Sequence, residues 1–282
     1  MIVDFHTHIG GVKSYHRNLK GLIFVTENDL LSYMVEFNIQ QAVVLPAHGF
    51  DVELGEYIQS SENVLRICRS HPGLIPFCCI DPMESKKSSF IEDYVSKGAR
   101  GYGEYKVKLP IDHTSSQEIY EICGKLKIPI LMHIDGSHSY MFEEAFQKIA
   151  YKYNKTVFIM HGPGWWRHIS AEQSREVYPT GPVKPGGLVD RILSGFENVY
   201  ADISATSGFN ALQRDRNYAR GFLEKHGSKI VFGTDFPCID PYGEQFGPDG
   251  LHLNLLKSLE LSDKTLEAIL FNNAERLLNL SQ

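Results

Sequence analysis

The sequence predicts an α/β protein, a single-domain (β/α)8 TIM barrel spanning residues 1–282. Three observations carry that prediction. Short apolar runs rich in β-branched residues recur eight times, each followed by a helical pattern, and parallel strands need such crossover helices. The length of 282 residues suits one barrel. The first strand leads into His6-Thr7-His8-Ile9-Gly10-Gly11, whereas a dinucleotide-binding sheet would place a Gly-x-Gly-x-x-Gly turn there.

In order, the strand runs are Ile2–His6, Gln41–Leu45, Leu74–Ile80, Arg100–Tyr105, Pro129–Ile134, Thr156–His161, Asn198–Ile203 and Lys229–Thr234. The first crossover, Glu27–Asn38, carries Leu30, Leu31, Met34 and Val35 at helical spacing. The stretches Gln117–Leu126, Met141–Tyr153 and Tyr218–His226 repeat that pattern. A helix over Asp263–Phe271 and the tail Asn272–Leu280 are expected against the outside of the barrel. Two long loops, Gly162–Gly187 and Phe236–Leu251, are rich in Gly, Pro and aromatics. They follow strands six and eight, at the face where barrel sites form, and loops of that length are usually functional or disordered. No linker, repeat or low-complexity tract divides the chain.

Hydrophobic residues make up 43% and charged residues 22%, an ordinary globular balance. The net charge of −6 is spread without a basic block, which argues against nucleic acid as a partner. Five cysteines, Cys68, Cys78, Cys79, Cys123 and Cys238, form no Cys-x-x-Cys pair and are expected as reduced thiols, three or four of them buried. Strand-like sequence begins at Ile2, leaving no room for a secretory signal. No apolar run approaches ~18 residues, so no membrane span is expected. The expected compartment is the cytoplasm and the expected partner a small-molecule substrate. Homo-oligomerisation is left open.

The chemistry begins at Asp4-Phe5-His6-Thr7-His8. With 12 His in 282 residues, an HxH triplet is expected about 0.5 times by chance, so its context matters. His6 and His8 share parity at the end of strand one, about 7 Å apart, and converging imidazoles can grip a divalent metal. His133 closes strand five, His161 closes strand six, and Asp235 follows strand eight. One buried His is usually a hydrogen-bonded core residue. Four His and one Asp at strand ends are costly to gather without a metal or a chemical task. Strand four adds Glu104 and Lys106, which share parity. Either Glu104 or a carbamylated Lys106 could bridge two metals, and Glu104 needs no modification. The bland alternative is a Glu–Lys ion pair at the barrel mouth.

These residues resemble the amidohydrolase superfamily. The phrases His161-Gly-Pro-Gly-Trp-Trp, Gly233-Thr-Asp-Phe-Pro and Asn272-Asn-Ala-Glu-Arg-Leu-Leu are similar more narrowly to its amidohydrolase-related branch, amidohydrolase 2. The resemblance covers nearly the whole chain. It implies one zinc held by His6, His8, His133 and Asp235, with His161 acting in catalysis or binding a second metal. Glu104 departs from the one-metal pattern and resembles the Glu of TatD-type nucleases. One or two divalent ions are therefore expected, zinc foremost and manganese next.

The expected activity is hydrolysis of an amide, ester or lactone bond by metal-activated water, with Asp235 as general base. His161 would ligate a second metal or stabilise the oxyanion. The alternatives are a metal-dependent decarboxylase of the same branch, a TatD-like phosphodiesterase, and a non-catalytic metal-binding protein. Trp165, Trp166, Arg167 and His168 are candidates to wall a substrate pocket. Lys106, Arg214 and Arg216 are candidates to hold a carboxylate or phosphate. Asn210, Tyr242, His48 and Asp81 are weaker pocket candidates, and His16, His71, His113 and His226 are expected to face solvent.

Overall fold

Each expected run contains a strand in the computed structural model, which describes residues 1–13, 22–46, 50–51, 56–57, 60–172, 174–238 and 250–280. The barrel strands are β1 (Val3–Thr7), β2 (Gln41–Val44), β3 (Leu74–Pro76), β4 (Tyr102–Tyr105), β5 (Ile130–His133), β6 (Phe158–His161), β7 (Val199–Asp202) and β8 (Ile230–Val231). They form two parallel arcs, β1–β2–β3 and β4 through β8. Both seams are bridged. Cys78 pairs with Tyr102 between the β3 and β4 segments. Across the other seam, Phe5 N donates to Phe232 O at 2.8 Å, Asp235 N to His6 O at 2.8 Å and His8 N to Phe236 O at 2.7 Å. The sheet is thereby a closed barrel, with no open edge between its first and last strands.

The first crossover helix, Glu27–Glu36, starts on a Thr26–Asp29 capping box. Its buried stripe is Leu30, Tyr33 and Met34, whereas Val35 is 82% exposed. The expected stripe is corrected by one position, because i, i+3 and i+4 share a face and i+5 does not. The later crossovers Thr114–Leu126, Phe142–Lys152 and Arg216–His226 match the expected helices closely.

Two apolar layers hold the barrel. The inner one takes alternate strand residues: Val3 and Phe5, Val43 and Leu45, Ile75 and Phe77, Leu131, Ile159 and Val231. The other, larger layer includes Ala42, Val44, Ile130, Met132, Phe158 and Met160 together with the crossover helices. Ala274 and Leu278, from the helix Asn273–Leu278, belong to the inner layer. The tail therefore stoppers the barrel interior, a correction to its expected place outside. Its Asn273 side chain donates to Gly227 O and Ile230 O, both at 2.7 Å, satisfying backbone that would otherwise be buried bare.

The segment after β6 is less irregular than its composition implies. Pro163 opens a short helix, Pro163–Trp166, that runs into the 3-10 turn Arg167–Ile169. Gly162 makes this turn possible at φ +97, since a Cβ there would stand 2.6 Å from Ile134 O. A hairpin of Gly10–Lys13 with Leu22–Val25 follows β1 and was not anticipated. All five cysteines are free and four are buried, as expected. No helix among the described residues is long and apolar enough to cross a membrane.

Candidate metal centre

Two irregularities of register aim the site. Strict alternation from Val3 and Phe5 would turn Thr7 inward, and would turn His6 and His8 away. The pairing of β1 with β2 shifts between Asp4 and Thr7, and His6 comes to face Asp202 and His161 across the interior. A second shift, between Tyr102 and Tyr105 against β5, accompanies the inward turn of Glu104. A bulge re-aims a side chain in this way, and bulges cluster at active sites.

His6 Nε2 lies 3.1 Å from His8 Nε2, and each is 3.3 Å from Asp235 Oδ1. His8 Nδ1 is 3.1 Å from Leu45 O, a carbonyl that can only accept, so this nitrogen carries the proton and Nε2 presents a lone pair. A carboxylate and bare imidazole nitrogens that close together repel unless a cation lies between them. Ligands ~2.0–2.1 Å from a tetrahedral zinc stand about 3.3–3.4 Å apart, so this triad fits a divalent metal. Next to it, Glu104 Oε1 is 2.7 Å from His133 Nδ1 and Oε2 is 3.7 Å from His8 Nε2. Glu104, His133 and His161 form a second potential ligand group, and His6, His161 and Asp202 a third.

Burial opposes ionisation of Glu104, but Lys106 and His133 hold its carboxyl well below the usual carboxylate range. Burial likewise opposes ionisation of Asp235, and His6, His8 and His161, when they carry protons in place of a metal, hold it below its ordinary value. The Asp235 side chain keeps 24% exposure, so a substrate can reach it. It sits at φ +64 with its N–H donated to His6 O, while Thr234 donates its hydroxyl to Asp4 Oδ2 at 2.6 Å and its N–H to Asp4 Oδ1 at 3.1 Å. Asp4, fully buried, has its carboxyl pushed up to about 7 by burial.

The structure thus brings together His6, His8, Glu104, His133, His161 and Asp235. It also adds residues that sequence analysis passed over. Asp202 ends β7 and touches both His6 and His161, and Ser204 bridges them. The strand-end criterion that selects His133 and His161 applies equally to Asp202. Asp135 accepts from His133 Nε2 at 3.0 Å and lies 2.9 Å from His138 Nδ1. It opens a neighbouring cavity of about 220 Å³ whose walls include Tyr140, Glu143, Arg167 and His168.

Other expectations are corrected. Trp165 and Trp166 are 0% and 1% exposed and pack inside the helical layer, so neither offers a face to a substrate. Arg214 follows the helix Ala205–Gln213, about 15 Å of rise beyond Ser204, and lines a separate surface cleft with Asp215 and Arg216. Arg216 donates to Ser258 O. Asn210 donates to Pro179 O, and exposed Asp81 caps its own turn through Met83 N. His226 is buried and bonded to Asp190 at 2.6 Å, contrary to its expected exposure. His113 caps the helix Thr114–Leu126, and His71 is half-buried. His16, His48 and Tyr242 lie outside the described residues.

No functionally curated protein matches this sequence. Solved structures do match over the full length. A probable 2-pyrone-4,6-dicarboxylic acid hydrolase from Acinetobacter baumannii, with citric acid bound, is 13% identical, with TM-score 0.65 and 99% of each chain covered. The 2,6-dihydroxybenzoate decarboxylase from Rhizobium is 14% identical, with TM-score 0.60, covering 100% of this chain and 99% of that one. An amidohydrolase from Burkholderia multivorans with bound zinc is 10% identical, with TM-score 0.63 and 99% of each chain covered. These likenesses speak for the fold. The family model described as amidohydrolase matches residues 72–280, starting after His6 and His8, which the barrel's closure carries to the same centre. With well over half of its length matched, this chain belongs to the amidohydrolase family.

Proposed function

We propose that the protein is a metal-dependent hydrolase of an amide, ester or lactone bond in a small molecule. The observation that carries this reading is the convergence of His6 Nε2, His8 Nε2 and Asp235 Oδ1 within 3.1–3.3 Å. A divalent cation held there, zinc foremost and manganese next, would acidify an attacking water and polarise the scissile carbonyl. Asp235, kept ionised and accessible, takes the proton from the water and returns it to the leaving atom. His161 stands across from His6, ring centroids 4.5 Å apart, where with Glu104 and His133 it would ligate a second metal. The cavity beside Asp135 offers room for the rest of the substrate.

The test is an activity screen of metal-loaded protein over lactones, N-acyl amino acids, aromatic carboxylates and phosphodiesters. Turnover of a lactone or amide is expected. Carbon dioxide release from an aromatic carboxylate would identify a decarboxylase, and cleavage of a phosphodiester would identify a nuclease. Silence across the panel would favour a binding protein.

Elemental analysis of purified protein should find about one to two zinc, manganese or similar ions per chain. Folded protein that stays metal-free after incubation with these ions would refute the reading. The number of ions turns on Glu104, which spans His8 and His133. Glu104→Ala is expected to lose one ion of two. A wild type that never exceeds one equivalent would leave Glu104 with another role.

A further inference from the structure

We propose that Asp202 and Ser204 are paired positioning residues that decide which ring nitrogen of both His6 and His161 carries the proton, leaving Nε2 bare on each. The inference rests on the metal-centre reading above and extends it to two residues that touch no substrate.

Asp202 has no exposed surface. Its Oδ2 lies 2.7 Å from His6 Nδ1, 2.6 Å from Ser204 Oγ and 3.2 Å from His161 Nδ1, and its Oδ1 accepts from Ser204 N at 2.9 Å. With the Ser204 N–H on Oδ1 and three groups able to donate around Oδ2, this carboxyl is placed as an acceptor throughout. An ionised carboxylate can only accept, so His6 Nδ1 and Ser204 Oγ must both donate to it. Once the Ser204 proton points at Asp202, its oxygen can only accept, and His161 Nδ1 at 2.9 Å is placed to donate. One proton assignment satisfies every contact: His161 to Ser204, Ser204 to Asp202, and His6 to Asp202. A partner on one imidazole nitrogen sets what the other can bind.

The space for this cluster is built in. A Cβ at Gly233 would stand 2.6 Å from Asp202 Oδ1, 2.9 Å from His6 Cβ and 3.1 Å from Ser204 Cβ. Trp166 Nε1 donates to Asp202 O at 2.8 Å and pins the end of β7. Loss of an orienting carboxylate behind a metal-binding histidine typically costs 10–100-fold in metal affinity, so that about 10–100-fold is the loss to look for here.

The experiment reads the ring protons directly, by long-range proton–nitrogen correlation spectra of metal-free protein, beside a zinc competition titration. Wild type should show Nδ1–H on His6 and His161. Asp202→Asn offers an amide donor to His6 Nδ1, so His6 should move to Nε2–H and the zinc affinity should fall about 10–100-fold. Ser204→Ala should alter His161 while leaving His6 as Nδ1–H, and it decides the matter alone if Asp202→Asn does not fold. Nε2–H on either histidine in wild type, or wild-type spectra and affinity in Asp202→Asn, would overturn the proposal. Wild-type protein with both Nδ1–H signals but no zinc binding would support this pairing and refute the metal reading instead.

Discussion

Asp235→Asn is expected to keep much of its metal while kcat falls by at least about 10²-fold, the low end of what loss of a general base costs. Asparagine preserves the shape and one oxygen for coordination, but its amide nitrogen accepts no proton. The native carboxylate stands 3.3 Å from both His6 Nε2 and His8 Nε2, and protons on these imidazoles and on His161 keep its pKa below the ordinary value when no metal is bound. A bound cation would push it in the same direction. Asp235 should therefore remain ionised through the usual carboxylate range, and its own protonation should remove no activity until the pH falls below that range. The comparison must be made at matched metal occupancy, since an empty site would mimic the same loss. Near-normal turnover in metal-loaded Asp235→Asn would move the base elsewhere, with His161 the next candidate.

Trp166→Ala should act on stability and leave recognition alone. The indole is 1% exposed, packs edge-on against Trp165 and Phe222, and donates Nε1–H to Asp202 O. Truncating a buried Trp typically costs about 3–5 kcal/mol in transfer and cavity terms, and here it also strips a buried carbonyl of its donor. Urea denaturation should show that loss as a lower midpoint at unchanged slope. At temperatures where the variant is folded, KM should stay within about twofold of wild type, because no contact with substrate is removed. A tenfold rise in KM at unchanged stability would restore Trp166 to the substrate wall that its loop position suggested.

Reading by period and composition succeeded where local chemistry and final placement agree. The eight strands are runs such as Gln41–Val44 and Phe158–His161, bracketed by polar turns and helical patterns, and their order alone demands a parallel sheet. His133, His161 and Asp235 were legible because they stand at or just past strand ends, and that is where a barrel gathers its chemistry. The same reasoning failed for the tryptophans. Their Gly- and Pro-rich surroundings read as a surface loop, but Pro163 and Gly162 start a short helix that turns both indoles inward. His226 shows the complementary error: a histidine among charged neighbours looked solvated until Asp190 arrived from 36 positions away.

From the sequence alone came the closed α/β barrel, the family, and the histidines and carboxylates that crowd one end of it, because each depends on residue type and on spacing along the chain. Sequence parity put His6 and His8 together on an inward face, and the tertiary structure decided how: two-residue alternation from Val3 and Phe5 would have turned them out, and a register shift against β2 reverses it. Tertiary structure alone placed Asp202 between His6 and His161, 196 and 41 positions away, and it alone drew Ala274 and Leu278 into the barrel floor. Spacing along a chain fixes which way a side chain points within one unbroken element. Which groups then meet is set by pairing register and by closure between strands distant in sequence, and those are properties of the whole packed barrel.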